Sequence, residues 1–159
     1  LRRAGFTVKK NKAGNRLLQT WTIKDGDGQR VTVDFLISPA SPDERPASIK
    51  HLEGDFGAVI TPGIELAFRD REVIAMEGQT ILKEHAVREI PVCGPGAFVV
   101  LKALAFRNRG EAKDAYDLYY VIRNCGTDIG DVAERLSALL GEPEAKMALD
   151  ILREDFTPF

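Results

Sequence analysis

The sequence predicts an α+β fold: a mixed β-sheet with a β-hairpin, followed by a mainly helical part over 97–159, all in one domain spanning 1–159. Three observations support this. Runs of β-branched and aromatic residues punctuated by turn signals fill the first half, and helical periodicity governs the last third. Strands that precede helices, without alternating with them, favour α+β. A chain of 159 residues buries roughly 68–70% of its unfolded surface, enough for a core.

Leu17–Lys24 and Gln29–Ile37 are rich in strand-forming residues, and Asp25-Gly-Asp-Gly28 between them is a strong turn signal, so the two form a hairpin. Alternation puts Val31, Val33, Phe35 and Ile37 on one face and Thr32, Asp34 and Leu36 on the other. Asp34 is thereby set opposite the main apolar row, open to a site or simply to water. Ser38–Pro46 (SPASPDERP) reads as a loop. From Ile49 to Gly63 the pattern is weak, with a short strand at Val59–Ile60 and a turn at Thr61-Pro62-Gly63. Arg71–Met76 and Thr80–Leu82 read as short strands around Glu77-Gly78, and Val87–Val92 as another. Pro95 suits the first turn of a helix running to Arg109, and Gly110 stops it. In the tail, Ile129, Val132, Leu136, Leu139 and Leu140 mark one amphipathic stripe, ended by Gly141. A last helix starts near Pro143 and buries Ala148, Ile151 and Leu152.

Composition removes several function classes. No apolar run approaches the ~20 residues of a membrane span and no signal-peptide pattern opens the chain, so a cytoplasmic protein without membrane contact is expected. Cys93 and Cys125 lack CxxC or CxxH spacing and read as reduced thiols. His51 and His85 are isolated and read as surface or loop residues, not zinc ligands. No G-x-S-x-G, P-loop or G-x-G-x-x-G sequence is present, which leaves hydrolase and dinucleotide readings without support. The net charge of −2 hides an asymmetry: residues 1–30 carry eight Lys/Arg against Asp25 and Asp27, net +6, leaving −8 for the remainder. Such a segment either steers a polyanion such as RNA or is a solvated hairpin.

The stretch Leu101–Tyr120, LKALAFRNRGEAKDAYDLYY, carries the most chemistry. Lys102 falls on one helical stripe with Phe98, Ala105, Phe106 and Arg109, while Asp114 and Asp117 share a stripe with Leu118, Val121 and Ile122. Each charge has an ordinary explanation alone: a stem laid over the core, a first-turn aspartate, or an i,i+4 pair between Lys113 and Asp117. Together they do not. Isolated buried charges cost several kcal/mol each, so the four groups should pair, face a polar cleft, or both.

The spacing of Lys102, Ala105 and Arg109 as K-x-x-A-x-x-x-R, followed by Lys113-Asp114-x-x-Asp117-Leu118-Tyr119, resembles the C-terminal motifs of the AbiEii/AbiGii-type nucleotidyltransferases, toxins of bacterial abortive-infection and toxin–antitoxin systems. Ile90-Pro91-Val92-x-x-Pro95 resembles the family's lead-in to that lysine, and Val31–Ile37 the strand bearing its third carboxylate. The resemblance implies a nucleotidyltransferase-like mixed sheet and transfer of a nucleoside monophosphate from an NTP to an acceptor such as tRNA. It implies Mg²⁺ as cofactor and a cognate antitoxin as a possible partner. It assigns catalysis to Asp34, Lys102 and Asp114, nucleotide binding to Lys102, Arg109, Lys113 and Asp117, and the metal to Asp34. Asp34 is then either the third metal-side carboxylate or the base near the acceptor, and Asp114 and Asp117 either orient the cations or contact the nucleotide. The family's opening motif, a Gly-Ser turn followed by two aspartates on a strand, has no counterpart here. Leu1–Phe6 resembles the helix end and turn that follow it, so the sequence is expected to lack an N-terminal portion and to be inactive alone. The alternative is a non-catalytic module of the same fold that binds nucleotide, RNA or an antitoxin.

Overall fold

The computed structural model describes residues 1–80 and 83–156. They form two compact units, Leu1–Thr61 with Glu77–Val87, and Pro62–Met76 with Arg88–Phe159.

The first unit is built from β1 (Thr7–Lys10), β2 (Arg16–Lys24), β3 (Arg30–Asp34), β4 (Leu36–Ile37), β5 (Ile49–Glu53) and β6 (Phe56–Ile60). One sheet has the order β1-β2-β3, the other β4-β6-β5. The Asp25–Gly28 turn closes as the sequence predicts: the Asp25 carboxylate accepts the backbone N–H of Asp27 at 3.0 Å and of Gln29 at 2.7 Å, and Gly28 supplies φ 80°. The predicted single strand Gln29–Ile37 is instead divided between the sheets. Phe35 donates its N–H to Gln19 O at 2.9 Å, continuing the pairing with β2, and its carbonyl accepts from Val59 N at 2.8 Å, starting the pairing with β6. Beyond this switch β4 runs parallel to β6, Leu36 opposite Val59 and Ile37 opposite Ile60.

The switch also decides what is buried. Phe35 packs edge-on against Phe56 with ring centroids 4.8 Å apart, and Trp21 of β2 lies 6.2 Å from the same ring. Gly57 makes this approach possible, because a Cβ there would stand 3.2 Å from Leu18 Cβ. It is β2, not β3, that packs on β6, so Val31, predicted on the apolar row, is 45% exposed. The β5–β6 hairpin is broader than the predicted Val59–Ile60 strand because β5 is mostly exposed and carries little hydrophobic pattern of its own.

The second unit holds α1 (Leu66–Arg69), most of β7 (Arg71–Gln79) and β8 (His85–Cys93), then α2 (Pro95–Arg109), α3 (Ala112–Asn124), α4 (Ile129–Ser137) and α5 (Pro143–Phe156). Glu77-Gly78, around which the sequence predicts two separate short strands, lies inside β7, whose pairing with β8 extends the strand through it. Of the predicted Thr80–Leu82 strand, residues 81 and 82 lie outside the described residues. Among the described residues no helix is long and apolar enough to cross a membrane.

Helix α2 is central to this unit. One side of it buries Ala97, Val100 and Ala103 among Leu66, Leu139, Ala145, Ala148 and Ile151, and Val99 meets Leu118 and Val132 on another. Small residues let the helices close in. A Cβ at Gly96 would stand 2.6 Å from the backbone carbon of Arg135 on α4, a contact that only moving a whole helix relieves. Gly96→Ala should therefore cost about 1–3 kcal/mol in urea unfolding. A midpoint equal to that of the unsubstituted protein would mean that α4 gives way freely.

Candidate functional site

The site lies where α2 ends, turns at Gly110 and returns as α3. Gly110 adopts φ 65° and its N–H bonds to Phe106 O at 2.7 Å, the left-handed helix stop expected there. The turn sets the two helices side by side and brings Lys102, Arg109, Lys113, Asp114 and Asp117 together.

Asp114 anchors the cluster. Its side chain is fully enclosed, and both oxygens are committed: Arg109 Nε donates to Oδ2 at 2.6 Å and Arg109 Nη2 to Oδ1 at 2.7 Å, while Lys102 Nζ donates to Oδ1 at 3.0 Å. This two-pronged guanidinium contact is the geometry that compensates a carboxylate best. The fork from Arg109 outweighs burial and, with Lys102, holds the Asp114 carboxyl down to about 2.

Lys102 is the shared member. Its ammonium also donates to Asp117 Oδ2 at 2.6 Å, and the same oxygen accepts from Lys113 Nζ at 2.7 Å. Burial works to lower the Lys102 pKa, but the bonds to Asp117 and Asp114 prevail and raise it. Lys102 and then Lys113 lower the Asp117 carboxyl in turn. Lys102 Nζ also lies 5.5 Å from the Phe98 ring centroid, on the stripe the sequence assigns to it. Three cations thus face two carboxylates by direct ion pairs, and Glu111 acts on Arg109 as well, so the cluster is close to neutral. An ammonium has three donors, and the two aspartates account for two of those on Lys102. With its side chain one-fifth exposed, the lysine is fixed in place yet open to solvent.

No local pattern in the sequence signals what positions α2. Its N-cap, Gly94, has no side chain to offer. Asp70 does that work from 27 positions away, accepting Ala97 N at 2.7 Å on Oδ2, while its own carbonyl accepts Gly94 N at 2.7 Å. Arg135 Nε of α4 donates to Asp70 Oδ1 at 2.6 Å, and the same guanidinium pairs with Glu72. Asp70 thereby fixes the start of the helix that carries Lys102. Beside it Cys93 is half-buried and its thiol is pushed up to about 11, chiefly by burial, so it is a poor nucleophile.

Asp34 belongs to the first unit. It is the last residue of β3, exposed, directly opposite Thr20, whose hydroxyl donates to Asp34 Oδ1 at 2.5 Å. Among the described residues, Oδ2 has no such bond. Among the described residues no group of three His, Cys, Asp or Glu side chains is arranged to hold a metal ion. Mg²⁺ is, however, commonly held by one or two carboxylates together with substrate phosphates, and Asp34 fits that demand as a single ligand.

His85 pairs with Glu77 at 2.9 Å on exposed strand positions and His51 Nε2 lies 2.6 Å from Gly54 O, consistent with surface roles. A family model described as nucleotidyl transferase AbiEii toxin, type IV toxin–antitoxin system, matches residues 3–157. Comparison with curated proteins and with solved structures gives no significant match.

Proposed function

The chain belongs to the AbiEii family of nucleotidyl transferase toxins of type IV toxin–antitoxin systems, and we propose that it takes part in transferring a nucleoside monophosphate from an NTP to an acceptor RNA, with tRNA the first candidate. The observation that carries this reading is Lys102: a partly exposed ammonium, locked between two aspartates, with one N–H left for a ligand. A charge-assisted donor held in this way suits a phosphate oxygen of a triphosphate.

In this mechanism the acceptor hydroxyl attacks the α-phosphorus, the bond to the bridging oxygen breaks, pyrophosphate leaves and the hydroxyl proton passes to solvent. Lys102 contacts phosphate oxygens through its remaining N–H, and Arg109 through the edge of its guanidinium that Asp114 does not occupy. Asp114 and Asp117 are positioning residues that hold these cations so that little reorganisation accompanies the change of charge. Lys113 shares the load on Asp117. Asp34 is the proposed ligand for Mg²⁺, which would supply charge neutralisation. A cognate antitoxin is the proposed protein partner.

The test is incorporation of α-labelled NTP into an RNA pool, with Mg²⁺, by the full-length protein. Label should enter RNA, and Asp34→Asn should reduce the single-turnover rate by at least about tenfold, or ~1.4 kcal/mol of barrier. Because Asp34 is exposed, circular dichroism should be unchanged. A folded protein that binds NTP but transfers no label would replace this reading by the non-catalytic module.

A further inference from the structure

Helix α3 turns two chemically different faces outward from its axis. Asp114, Leu118 and Val121 point into the ion cluster and core, whereas Tyr116, Tyr119 and Tyr120 are 62%, 66% and 53% exposed. At 3.6 residues per turn these three tyrosines, Lys113 and Arg123 fall within an arc of about 120° that contains no carboxylate. The Tyr116 and Tyr120 rings lie side by side, centroids 6.2 Å apart and planes inclined by 34°. The arc borders the ion cluster at Lys113, which bonds to Asp117.

Three large aromatic side chains left in water on one helix need an explanation, because burying them is the ordinary outcome. A protein-docking helix offers aliphatic anchors at i, i+3 and i+4, but here the aliphatic residues of α3 (Leu118, Val121 and Ile122) are turned toward the core. What remains is aromatic planes with a cation at either end of the stripe. Successive bases stack on such planes whatever their sequence, and flanking cations meet the phosphates between them. A duplex hides its base faces and cannot use the rings in this way.

We propose that the Tyr116–Tyr119–Tyr120 face of α3, flanked by Lys113 and Arg123, is a stacking platform for single-stranded RNA. The choice of RNA rests on the transferase reading, in which the acceptor is an RNA. On that reading the platform holds an unpaired segment of the acceptor beside the Lys102 cluster. It gives affinity with little sequence selection, since every base has a π-face.

The experiment measures fluorescence anisotropy of labelled oligoadenylate, oligodeoxyadenylate and an RNA duplex with the full chain, without NTP. The wild-type protein should bind oligoadenylate more tightly than the duplex. Joint replacement Y116A/Y119A/Y120A should weaken this by at least about tenfold. The corresponding phenylalanine variant should retain binding, and the leucine variant, apolar but unable to stack, should lose it as alanine does. Unchanged affinity in the alanine variant, retention by the leucine variant, or a duplex bound as tightly as the single strand would overturn the platform. Tighter binding of oligodeoxyadenylate than of RNA would overturn the assignment to RNA. The transferase reading is separable: its failure abolishes NTP-dependent labelling but leaves this tyrosine-dependent affinity in place, and failure of the platform leaves NTP binding at Lys102 intact.

Discussion

Asp114→Ala should destabilise the protein by about 2–3 kcal/mol, because the charge-assisted bonds its enclosed carboxylate accepts are lost. The enclosed carboxylate takes three hydrogen bonds, two from Arg109 and one from Lys102. Without it Arg109 can swing into solvent, being half exposed, but Lys102 is left with Asp117 alone in a partly buried position. The same pairing makes stability depend on acid in a predictable sense. Folding lowers the Asp114 carboxyl from 3.8 to about 2. A depressed folded-state value means that the stabilisation is complete above the unfolded value and is lost as pH falls through the folded one. The decline between roughly pH 4 and pH 2 should amount to ~2 kcal/mol in urea unfolding. In Asp114→Ala this part of the acid dependence should disappear. An alanine variant as stable as the parent, with the acid limb unchanged, would show that the charges on α2 and α3 are solvated separately.

Lys102→Ala should reduce nucleotide transfer by the full-length protein at least about tenfold, equivalent to ~1.4 kcal/mol of barrier, while leaving the fold intact. The geometry explains why the fold should survive. Arg109 still grips Asp114 with two bonds, and Lys113 still pairs with Asp117, so neither carboxylate is abandoned. The transition state loses the one cation that is both fixed by two aspartates and open to a ligand. Lys102→Arg should rescue poorly, because a planar fork cannot occupy the space of a compact ammonium between Asp114 and Asp117. Circular dichroism would check folding, and single-turnover transfer to a tRNA pool would read the step. An unchanged rate in folded Lys102→Ala would remove this lysine from the mechanism and favour the binding module.

The contrast between these positions and Asp34 follows from how far each depends on neighbours. Lys102, Arg109, Asp114 and Asp117 lie on two consecutive helices, so a helical period and one glycine stop suffice to bring them together. Their pairing was legible for that reason, as was the family to which their spacing belongs. The Asp25–Gly28 turn was legible likewise, since the hydrogen bonds that close it run between residues at most four apart.

Other features are decided by partners distant in the chain. The sequence determined that Phe35 is an extended apolar residue, but only the fold decided that its N–H serves β2 and its carbonyl serves β6, which divides the predicted strand at that residue. Glu77-Gly78 reads locally as a break between two strands, and pairing with β8 overrides it. Asp70 caps α2 from 27 positions away and meets Arg135 across 65, separations at which no periodicity in the sequence relates one residue to the other. The sequence by itself thus determined the helix pair, its charges and the hairpin turn, because short-range backbone geometry fixes them. Only the tertiary structure decided where the strand changes sheets, what anchors the lysine-bearing helix, and that three tyrosines of α3 stay in water. Those outcomes depend on which surfaces meet, and that is settled by packing between segments far apart in the chain.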